Sequence, residues 1–285
     1  MKRLMHPARV WRLAHGRSLK LGPKARIMGI LNVTPDSFSD GGRYRDSVDA
    51  AVSAALAMVN DGADIIDIGG ESTRPGAVPV SPLEEQRRIL PVIEALAQMS
   101  DCLISVDTYR AETAQKAVLA GAHVINDVFG AQKDPQMAAV AGNLQAGLCL
   151  MHTGRERKKL TGVIDDQFEF LNKSIEIARK FNVSDESLVL DPGFGFEKDR
   201  NENLELMLRL DELHELGFPL LVGTSRKRFV KAMMERDDPE PDIATAATSV
   251  LLRERGADIF RVHAVRTNRD ALLVADAVLA AGQPQ

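Results

Sequence analysis

The chain has 285 residues, 45% of them hydrophobic, which is enough to bury the core of one α/β barrel of about 250 residues with a short extension. A net charge of −4 and an aromatic content of 5% argue against a nucleic-acid partner. No apolar run approaches the roughly 20 residues that cross a bilayer, so no membrane association is expected.

The first 26 residues contain eight Lys or Arg and no acidic residue. A basic, acid-free start is a feature of transit peptides, but this one lacks their serine enrichment. Instead, VWRLAHGRSLKLG alternates apolar and polar residues around His15 and Gly16, which favours a β-hairpin. We therefore expect residues 1–24 to be a hairpin extension that closes the bottom of a barrel formed by residues 25–285.

Eight apolar, strand-like runs follow, and a segment of helical periodicity comes after each of them. Strands are predicted near 25–32, 63–69, 102–106, 122–126, 146–151, 187–190, 219–223 and 258–262. Helices are predicted near 46–60, 82–98, 110–120, 134–142, 164–181, 201–216, 225–235 with 242–255, and 268–281. Uniformly apolar strands are typical of a parallel sheet buried on both faces. The pattern predicts an α/β fold, a single (β/α)8 TIM barrel with a short N-terminal β-hairpin.

Two details of this pattern carry further expectations. Pro82 and Pro91 lie at the start and middle of the second helical segment, which leaves open whether that helix is one piece or two. Cys102 and Cys149 lie at or within predicted buried strands, so they are expected to be reduced core thiols of a cytoplasmic protein.

Active sites of such barrels are built from the carboxyl ends of the strands. Two loops on that side, 33–45 and 69–82, are unusually long, and such loops are often lids or binding loops. The first follows Asn32 at a strand end and also agrees with ordinary turn chemistry, whereas the second could be a rigid surface loop. In the second, Arg74 between Thr73 and Pro75 suits an anion.

Asp107, Asn126 and Asp191 belong together because each falls at the end of a predicted strand, the third, fourth and sixth. Burying a carboxylate at a barrel mouth is costly without partners. Either the three side chains cap the following helices, or they bind a ligand rich in N–H donors. Two carboxylates and an amide would satisfy the amino and ring N–H groups of a pterin or a purine.

The loops after strands 7 and 8 are the usual phosphate-binding corner of this barrel. TSRKR, 224–228, follows the seventh strand and is predicted to open a helix, whose free N–H groups favour anions. Lys227, Arg261 and His263 would converge there, although His263 could also be a satisfied core histidine. Because no His/Cys cluster has zinc spacing, any metal is expected to be Mg²⁺ held by oxygen ligands and phosphate.

These motifs together resemble one family. The ordered set comprises NVTPDSFSDGG, GGESTRPGA, SVDT, INDV, MH, DPGFGF, GTSRK and RVH. It resembles the dihydropteroate synthases of folate biosynthesis, and the similarity runs from about Val10 to the C-terminus. The resemblance implies a TIM-barrel transferase (EC 2.5.1.15). Such an enzyme joins 4-aminobenzoate to (7,8-dihydropterin-6-yl)methyl diphosphate in a dissociative (SN1-like) substitution that yields 7,8-dihydropteroate and pyrophosphate.

The resemblance also implies residue roles, carried over motif by motif. The pterin-binding residues would be Asp107, Asn126, Asp191 and Lys227. The diphosphate would be bound by Asn32, Thr73, Arg261 and His263, with Asn32 also a ligand of Mg²⁺. The 4-aminobenzoate pocket would be formed by Phe38, Thr73, Pro75, Phe196, Ser225 and Lys227. Residues acting in the reaction would be Asn32, Asp36, Arg74, Asp107 and Lys227. Sulfonamides, which mimic 4-aminobenzoate, would compete.

The chain departs from the family at two places. Glu197 stands where the family usually has a small residue, with Lys198 or Arg200 as candidates to pair with it. The segment after His152, GRERKK, is compact and very basic, whereas many relatives have a longer one. Both changes fall on the rim of the expected site.

Two other functions share part of this pattern. A pterin-binding methyltransferase barrel would keep the acids that hold the pterin but lack the TPDSFSDGG, STRPGA and SRK motifs, all present here. A non-catalytic paralogue would have lost some site residues. The resemblance further implies a homodimer formed through helices of the C-terminal third, to which the apolar stretch ATAATSVLL at 244–252 is suited, as it is to core packing.

Overall fold

A computed structural model describes residues 6–34, 44–72, 78–234 and 240–282 of the chain. Two antiparallel strands, β1 (Arg9–Arg12) and β2 (Ser18–Leu21), form a hairpin. Eight parallel strands follow: β3 (Arg26–Asn32), β4 (Ile65–Gly69), β5 (Leu103–Asp107), β6 (Val124–Asp127), β7 (Gly147–Met151), β8 (Leu188–Asp191), β9 (Leu221–Val222) and β10 (Ile259–Val262). The predicted (β/α)8 barrel with an N-terminal hairpin is confirmed.

The barrel strands lie in the order β8-β7-β6-β5-β4-β3-β10-β9, so adjacent strands follow one another in the chain except where the first, β3, pairs with the last, β10. The remaining seam, between β8 and β9, is bridged by the parallel pair Leu190 and Leu220, and the amide of Leu190 donates to the carbonyl of Pro219 at 3.0 Å. All eight strands therefore point the same way around the barrel, and their carboxyl ends meet at one mouth.

Nine α-helices lie within the described ranges. They are α1 (Tyr44–Asn60), α2 (Pro82–Met99), α3 (Ala111–Leu119), α4 (Gln136–Leu144), α5 (Val163–Lys180), α6 (Arg200–Leu208), α7 (Arg228–Lys231), α8 (Pro241–Glu254) and α9 (Val265–Ala281). None of the helices in these ranges is long and apolar enough to cross a membrane.

The hairpin covers the amino-terminal end of the barrel. Its buried side chains Trp11, Leu13, Leu19 and Leu21 form one apolar cluster with a single inward residue from each barrel strand. The indole Nε1–H of Trp11 donates to the carbonyl of Ser187 at 2.9 Å, which satisfies its one polar group. Cys149 belongs to this layer and is fully buried, and both Cys149 and Cys102 are free thiols.

The second helical segment is one helix, α2, despite Pro91 in its interior. An interior proline costs about 3 kcal/mol. Four side chains of α2 are completely buried, and each contributes about 1.5–3 kcal/mol. They are Ile89, Val92, Ile93 and Leu96. Burial therefore outweighs the proline, and the alternative of two pieces is wrong.

The predicted helix 201–216 divides in two. α6 ends at Leu208, Arg209 leaves helical geometry, and a 3₁₀ helix runs from Leu210 to Leu216. Leu206, Leu210 and Leu213 are all fully buried. Because the apolar spacing continues through the break, periodicity could not reveal it.

Candidate active site

The strand register aligns the predicted site residues at the barrel mouth. Asn32 lies opposite Gly69, Gly69 lies opposite Asp107, and Asp107 lies opposite Asn126. Asp191 ends β8, opposite Met151. Sequence reasoning therefore placed these side chains at the correct strand ends, and the parallel register joins them into one site.

Arg261 is the centre of an ion-pair network in this mouth. Its Nε lies 2.6 Å from Oδ2 of Asp67, and its Nη2 lies 2.6 Å from Oδ2 of Asp107. The amide Nδ2 of Asn126 donates to the same oxygen of Asp67 at 3.0 Å. Asp67 is fully buried and Asn126 is 3% exposed. One guanidinium thus orients two carboxylates, because its fork presents several donors in one plane.

Burial controls the electrostatics of this network. Burial raises the pKa of Asp107 well above its ordinary value, with Arg261 opposing the shift and Asp67 adding to it. Burial alone would lower the pKa of Arg261, but Asp67 and Asp107 together raise it above its ordinary value. Burial also raises the pKa of Asp191 against the influence of Lys227. Burial therefore disfavours the charged forms of these carboxylates, and the neighbouring cations favour them.

Lys227 interacts electrostatically with Asp191 and packs against the ring of Phe196. The ammonium of Lys227 lies 4.5 Å from the centre of the Phe196 ring and donates to the carbonyl of Phe194. Burial lowers the pKa of Lys227 to about 7, partly offset by Asp191. Arg155 lies over the same Phe196 ring at 4.6 Å. Phe196 is therefore packed against two cations on the rim of the mouth.

Ser225 and His263 form a pair on the other side of the mouth. Oγ of Ser225 lies 2.9 Å from Nδ1 of His263, and the amide of His263 donates to that oxygen at 3.1 Å. The sequence predicts a helix that starts at Ser225, but the structure has a turn there. The turn contains Arg226 at φ +57°, and α7 begins only at Arg228 and has four residues. Ser225 therefore lies before the helix and not at its start, whereas the anion site expected at this corner stays a prediction.

Five predicted site residues lie outside the described ranges: Asp36 and Phe38 of the first long loop, and Thr73, Arg74 and Pro75 of the second. Asn32, at the end of β3, is half-buried at the mouth. The base of the second loop is described. Arg110 lies 2.8 Å from Glu71 and 2.9 Å from Glu85, and Oε2 of Glu71 accepts from the amide of Val80 at 3.2 Å.

Two other strand-end residues turn away from the mouth. The carboxylate of Asp127 accepts the amides of Phe129 at 2.9 Å and Ala131 at 2.7 Å, so it stabilises its own loop. His152 is fully buried and contacts Asp166 and Lys198. Lys198 points into this interior cluster, so of the two candidate partners of Glu197, Lys198 and Arg200, the first is wrong.

Sequence reasoning overlooked Asp67, which contacts both Arg261 and Asn126. It is the one polar residue of the strand IIDIG, 65–69, which otherwise consists of isoleucines and glycine. Ile65, Asp67 and Gly69 alternate with Ile66 and Ile68, so period-two counting puts the carboxylate on the inward face. A charged side chain there requires a partner, and that requirement was the available signal.

A family model described as "Pterin binding enzyme" matches residues 28–263. The matched range spans all eight barrel strands apart from the first residues of β3, and includes every described residue of the mouth. The chain therefore belongs to the pterin-binding barrel enzymes.

Comparison with individual proteins narrows this assignment. The dihydropteroate synthase of Bacillus subtilis is 46% identical over 265 residues, covering 93% of this chain and 92% of the relative. A dihydropteroate synthase from Xanthomonas albilineans, solved with 4-aminobenzoic acid, is 41% identical, with a TM-score of 0.88 and coverage of 96% and 99% of the two chains. The Yersinia pestis enzyme, solved in a sulfonamide drug complex, is 40% identical, with a TM-score of 0.85 and coverage of 94% and 98%. Within the pterin-binding enzymes, this chain belongs to the dihydropteroate synthase family.

Proposed function

We propose that the mouth of this barrel catalyses the reaction of that family by dissociative substitution. The substrates are (7,8-dihydropterin-6-yl)methyl diphosphate and 4-aminobenzoate, and the products are 7,8-dihydropteroate and pyrophosphate. The observation that carries the proposal is the single network in which Arg261 joins Asp67 and Asp107 beside Asn126.

In the proposed reaction the bond between the exocyclic methylene and the diphosphate oxygen breaks first, and its electron pair leaves with the diphosphate. The electron-rich dihydropterin stabilises the resulting cation. The amine nitrogen of 4-aminobenzoate then forms the new C–N bond and loses a proton. Charge therefore develops on the leaving oxygen and on the ring, and fixed charges near both positions lower the barrier.

The pterin edge is assigned to Asp107, Asn126, Asp191 and Lys227. Asp191 is 5% exposed, and one of its oxygens already accepts the amide of Gly193 at 2.7 Å. Its other oxygen is available to a pterin N–H donor. Carboxylates facing the ring also favour positive charge on it, which is the requirement of a dissociative path.

The diphosphate is assigned to Asn32, Thr73, Arg261 and His263. Arg261 is the cation best suited to the leaving group because its guanidinium is 21% exposed while the carboxylates it orients are buried. His263 reaches the same end of the barrel from the end of β10. Asp36 and Arg74 are proposed to act from the two long loops.

Mg²⁺ is proposed to bind with the diphosphate. Within the described ranges no group of three His, Cys, Asp or Glu side chains could hold a metal. The amide oxygen of Asn32 is a hard donor at the mouth, and Mg²⁺ commonly uses one or two protein oxygens plus substrate phosphates. The bound ion would supply positive charge to the leaving diphosphate. Asn32 would orient that end of the substrate.

The 4-aminobenzoate pocket is assigned to Phe38, Thr73, Pro75, Phe196, Ser225 and Lys227. Phe196 offers a ring face beside Lys227, and Ser225 offers a hydroxyl 2.9 Å from His263 that can turn toward a carboxylate. Sulfonamides, which imitate 4-aminobenzoate, are expected to compete for this pocket.

Two further features belong to the proposal. A homodimer is favoured by exposed apolar side chains on the adjacent helices α8 and α9, namely Ile243, Leu251, Leu273, Val274 and Val278. Cytoplasmic location is favoured by the two free thiols, because reduced cysteines are usual in that compartment.

Pyrophosphate release tests the central proposal. Purified protein with both substrates and Mg²⁺ should release pyrophosphate and form dihydropteroate, and a sulfonamide should inhibit competitively with 4-aminobenzoate. Chelation should stop turnover, and added Mg²⁺ should restore it. Pterin binding without any turnover under these conditions would contradict the proposal and favour a non-catalytic paralogue.

A further inference from the structure

A buried polar chain lies beneath the loop that follows β8. His152 comes directly after β7, Asp166 lies in the first turn of α5, and Lys198 ends the loop. Nε2 of His152 lies 2.9 Å from Oδ2 of Asp166, and Nζ of Lys198 lies 2.9 Å from Nδ1 of His152. An ammonium only donates, so Nδ1 is the acceptor for Lys198. On the other side of the ring, Nε2 lies 2.9 Å from both Oδ2 of Asp166 and Nη2 of Arg157, which themselves form an ion pair. Burial and Lys198 lower the pKa of His152 to about 3, which agrees with a neutral ring.

The chain continues from Lys198 to the proposed pterin carboxylate. Nζ of Lys198 donates to the carbonyl of Gly193 at 2.9 Å, and the amide of Gly193 donates to Oδ1 of Asp191 at 2.7 Å. Gly193 has φ +64°, and a Cβ there would lie 1.9 Å from the carbonyl oxygen of His152. Gly193 is therefore held by hydrogen bonds on both sides, in a conformation that requires glycine.

The two departures from the family pattern meet at the outer side of the same loop. Nζ of Lys159, in the basic segment, donates to the carbonyl of Glu197 at 2.6 Å, and the amide of Gly154 donates to the carbonyl of Phe196 at 3.3 Å. A Cβ on Gly154 would lie 2.8 Å from Cβ of Glu197. The basic segment and Glu197 therefore fit each other, and the loop is tied down outside as well as inside.

We propose that His152 and Lys198 are positioning residues for the pterin. By holding the carbonyl of Gly193, Lys198 keeps the Gly193 amide on one oxygen of Asp191, so that the other oxygen keeps a fixed direction toward the ligand. His152 holds Lys198 in turn and is itself oriented by Asp166. This inference rests on the proposed function, in which Asp191 binds the pterin.

Two substitutions of His152 separate positioning from simple packing. In His152→Asn the amide oxygen lies near the place of Nδ1 and can still accept from Lys198. In His152→Gln the longer amide reaches toward Asp166 and leaves Lys198 without its acceptor. The two variants lose comparable packing against Phe170, whose ring centre is 5.0 Å away, so their melting temperatures should fall alike.

The measurement is titration of hydroxymethylpterin by its fluorescence, with melting temperatures recorded in parallel. A hydrogen bond made by a charged group corresponds to roughly tenfold or more in affinity. We expect about a tenfold weaker Kd for His152→Gln and for Lys198→Met, and at most about a threefold change for His152→Asn. Lys173→Met, at an exposed position of α5, is the matched control and should bind as the wild type does.

Different failures have different meanings. If the Asn and Gln variants lose affinity equally, and the loss follows the fall in their melting temperatures, His152 acts only through packing. Wild-type affinity in both His152→Gln and Lys198→Met would overturn the positioning role alone. A wild-type protein that neither binds hydroxymethylpterin nor releases pyrophosphate would instead overturn the proposed function.

Discussion

Asp67, which is fully buried, and Arg261, which is partly exposed, form an ion pair in the barrel mouth, with 2.6 Å between Oδ2 of the carboxylate and Nε of the guanidinium. The other carboxylate oxygen, Oδ1 of Asp67, is buried and has no hydrogen-bond partner among the residues that the structure describes. Leaving a buried acceptor unpaired is costly. A ligand that brings N–H donors to this depth would remove that cost, which agrees with a pterin entering the mouth.

The first prediction concerns this pair. Asp67→Asn removes one of the two charges that hold Arg261, so we expect the free energy of unfolding to fall by about 1.5–3 kcal/mol and pterin binding to weaken. Chemical denaturation and pterin titration would measure the two effects. Asp61→Asn, at an exposed position at the end of α1, is the control and should change neither. A fully stable Asp67→Asn protein with wild-type affinity would show that the network does not orient the site.

Asp191 provides a prediction on ligand affinity alone. Asp191→Asn keeps the shape of the side chain but removes a charged acceptor worth about 1.5–3 kcal/mol. That corresponds to a roughly 10- to 150-fold weaker Kd for the pterin. Asp185→Asn is the matched control, because Asp185 pairs with Arg179 on the surface and such pairs contribute little. Unchanged affinity in a pterin titration of Asp191→Asn would remove this residue from the pterin edge.

Strand geometry explains which residues of this site could be predicted from the sequence and which could not. Strand ends are marked by a change from apolar to polar residues, so Asn32, Asp107, Asn126 and Asp191 were placed correctly. Side-chain partners depend on which strands are neighbours and on the reach of long side chains. The contact of Arg261 with Asp67, 194 positions away in the chain, is therefore a property of barrel closure and not of any local pattern.

The helix after the seventh strand begins at Arg228, three residues later than the predicted start at 225, for a local reason. TSRKR has residues that favour a helix, but Arg226 adopts φ +57° and its guanidinium binds Asp242 with two contacts of 2.8 Å. The ion pair links the turn to α8, and the amide of Arg226 also donates to Oγ1 of Thr245 on that helix at 3.3 Å. A partner 16 residues away cannot be read from helical propensity.

Ser225 and His263 allow the two anion-binding roles to be separated. Ser225→Ala removes the hydroxyl proposed for the carboxylate of 4-aminobenzoate, so we expect the KM for 4-aminobenzoate to rise by about tenfold and the KM for the pterin diphosphate to change little. The same variant removes the hydroxyl that lies 2.9 Å from Nδ1 of His263. If the KM for the diphosphate substrate rises instead, Ser225 acts through His263 and not on 4-aminobenzoate. Steady-state kinetics with each substrate varied in turn distinguishes the two results.

The exposed apolar side chains of α8 and α9 predict an oligomer. Val274→Glu places a charge within this surface and is expected to convert a dimer into a monomer, because an unpaired charge in an apolar interface is costly. Leu119→Glu is the matched control, since Leu119 on α3 and Val274 are both 67% exposed. Light scattering after size exclusion should give a dimer for the wild type and for the control. A monomeric wild type would contradict the dimer itself. A dimeric Val274→Glu protein would show that the interface does not include this surface.

His123 predicts how stability depends on pH. Its Nδ1 accepts the amide of Ile104 at 3.1 Å, and burial, with Arg17 and His15 nearby, lowers its pKa from 6.5 to about 4. Between these two values the unfolded chain binds a proton that the folded protein does not, so stability is lost as the pH falls from 6.5 toward 4. Between pH 7 and pH 5 this histidine alone should account for about 2 kcal/mol.

His123→Asn isolates this contribution, because its amide oxygen can still accept from Ile104 but does not titrate. We expect the variant to be less stable than the wild type at pH 7 and to lose about 2 kcal/mol less between pH 7 and pH 5. Urea denaturation at both pH values measures this difference. Other buried titrating groups, His152 among them, are present in both proteins and cancel in the comparison. Equal losses of stability in the two proteins would mean that the pKa of His123 is the same in the folded and unfolded states. That result would contradict a neutral, buried His123 ring between β5 and β6.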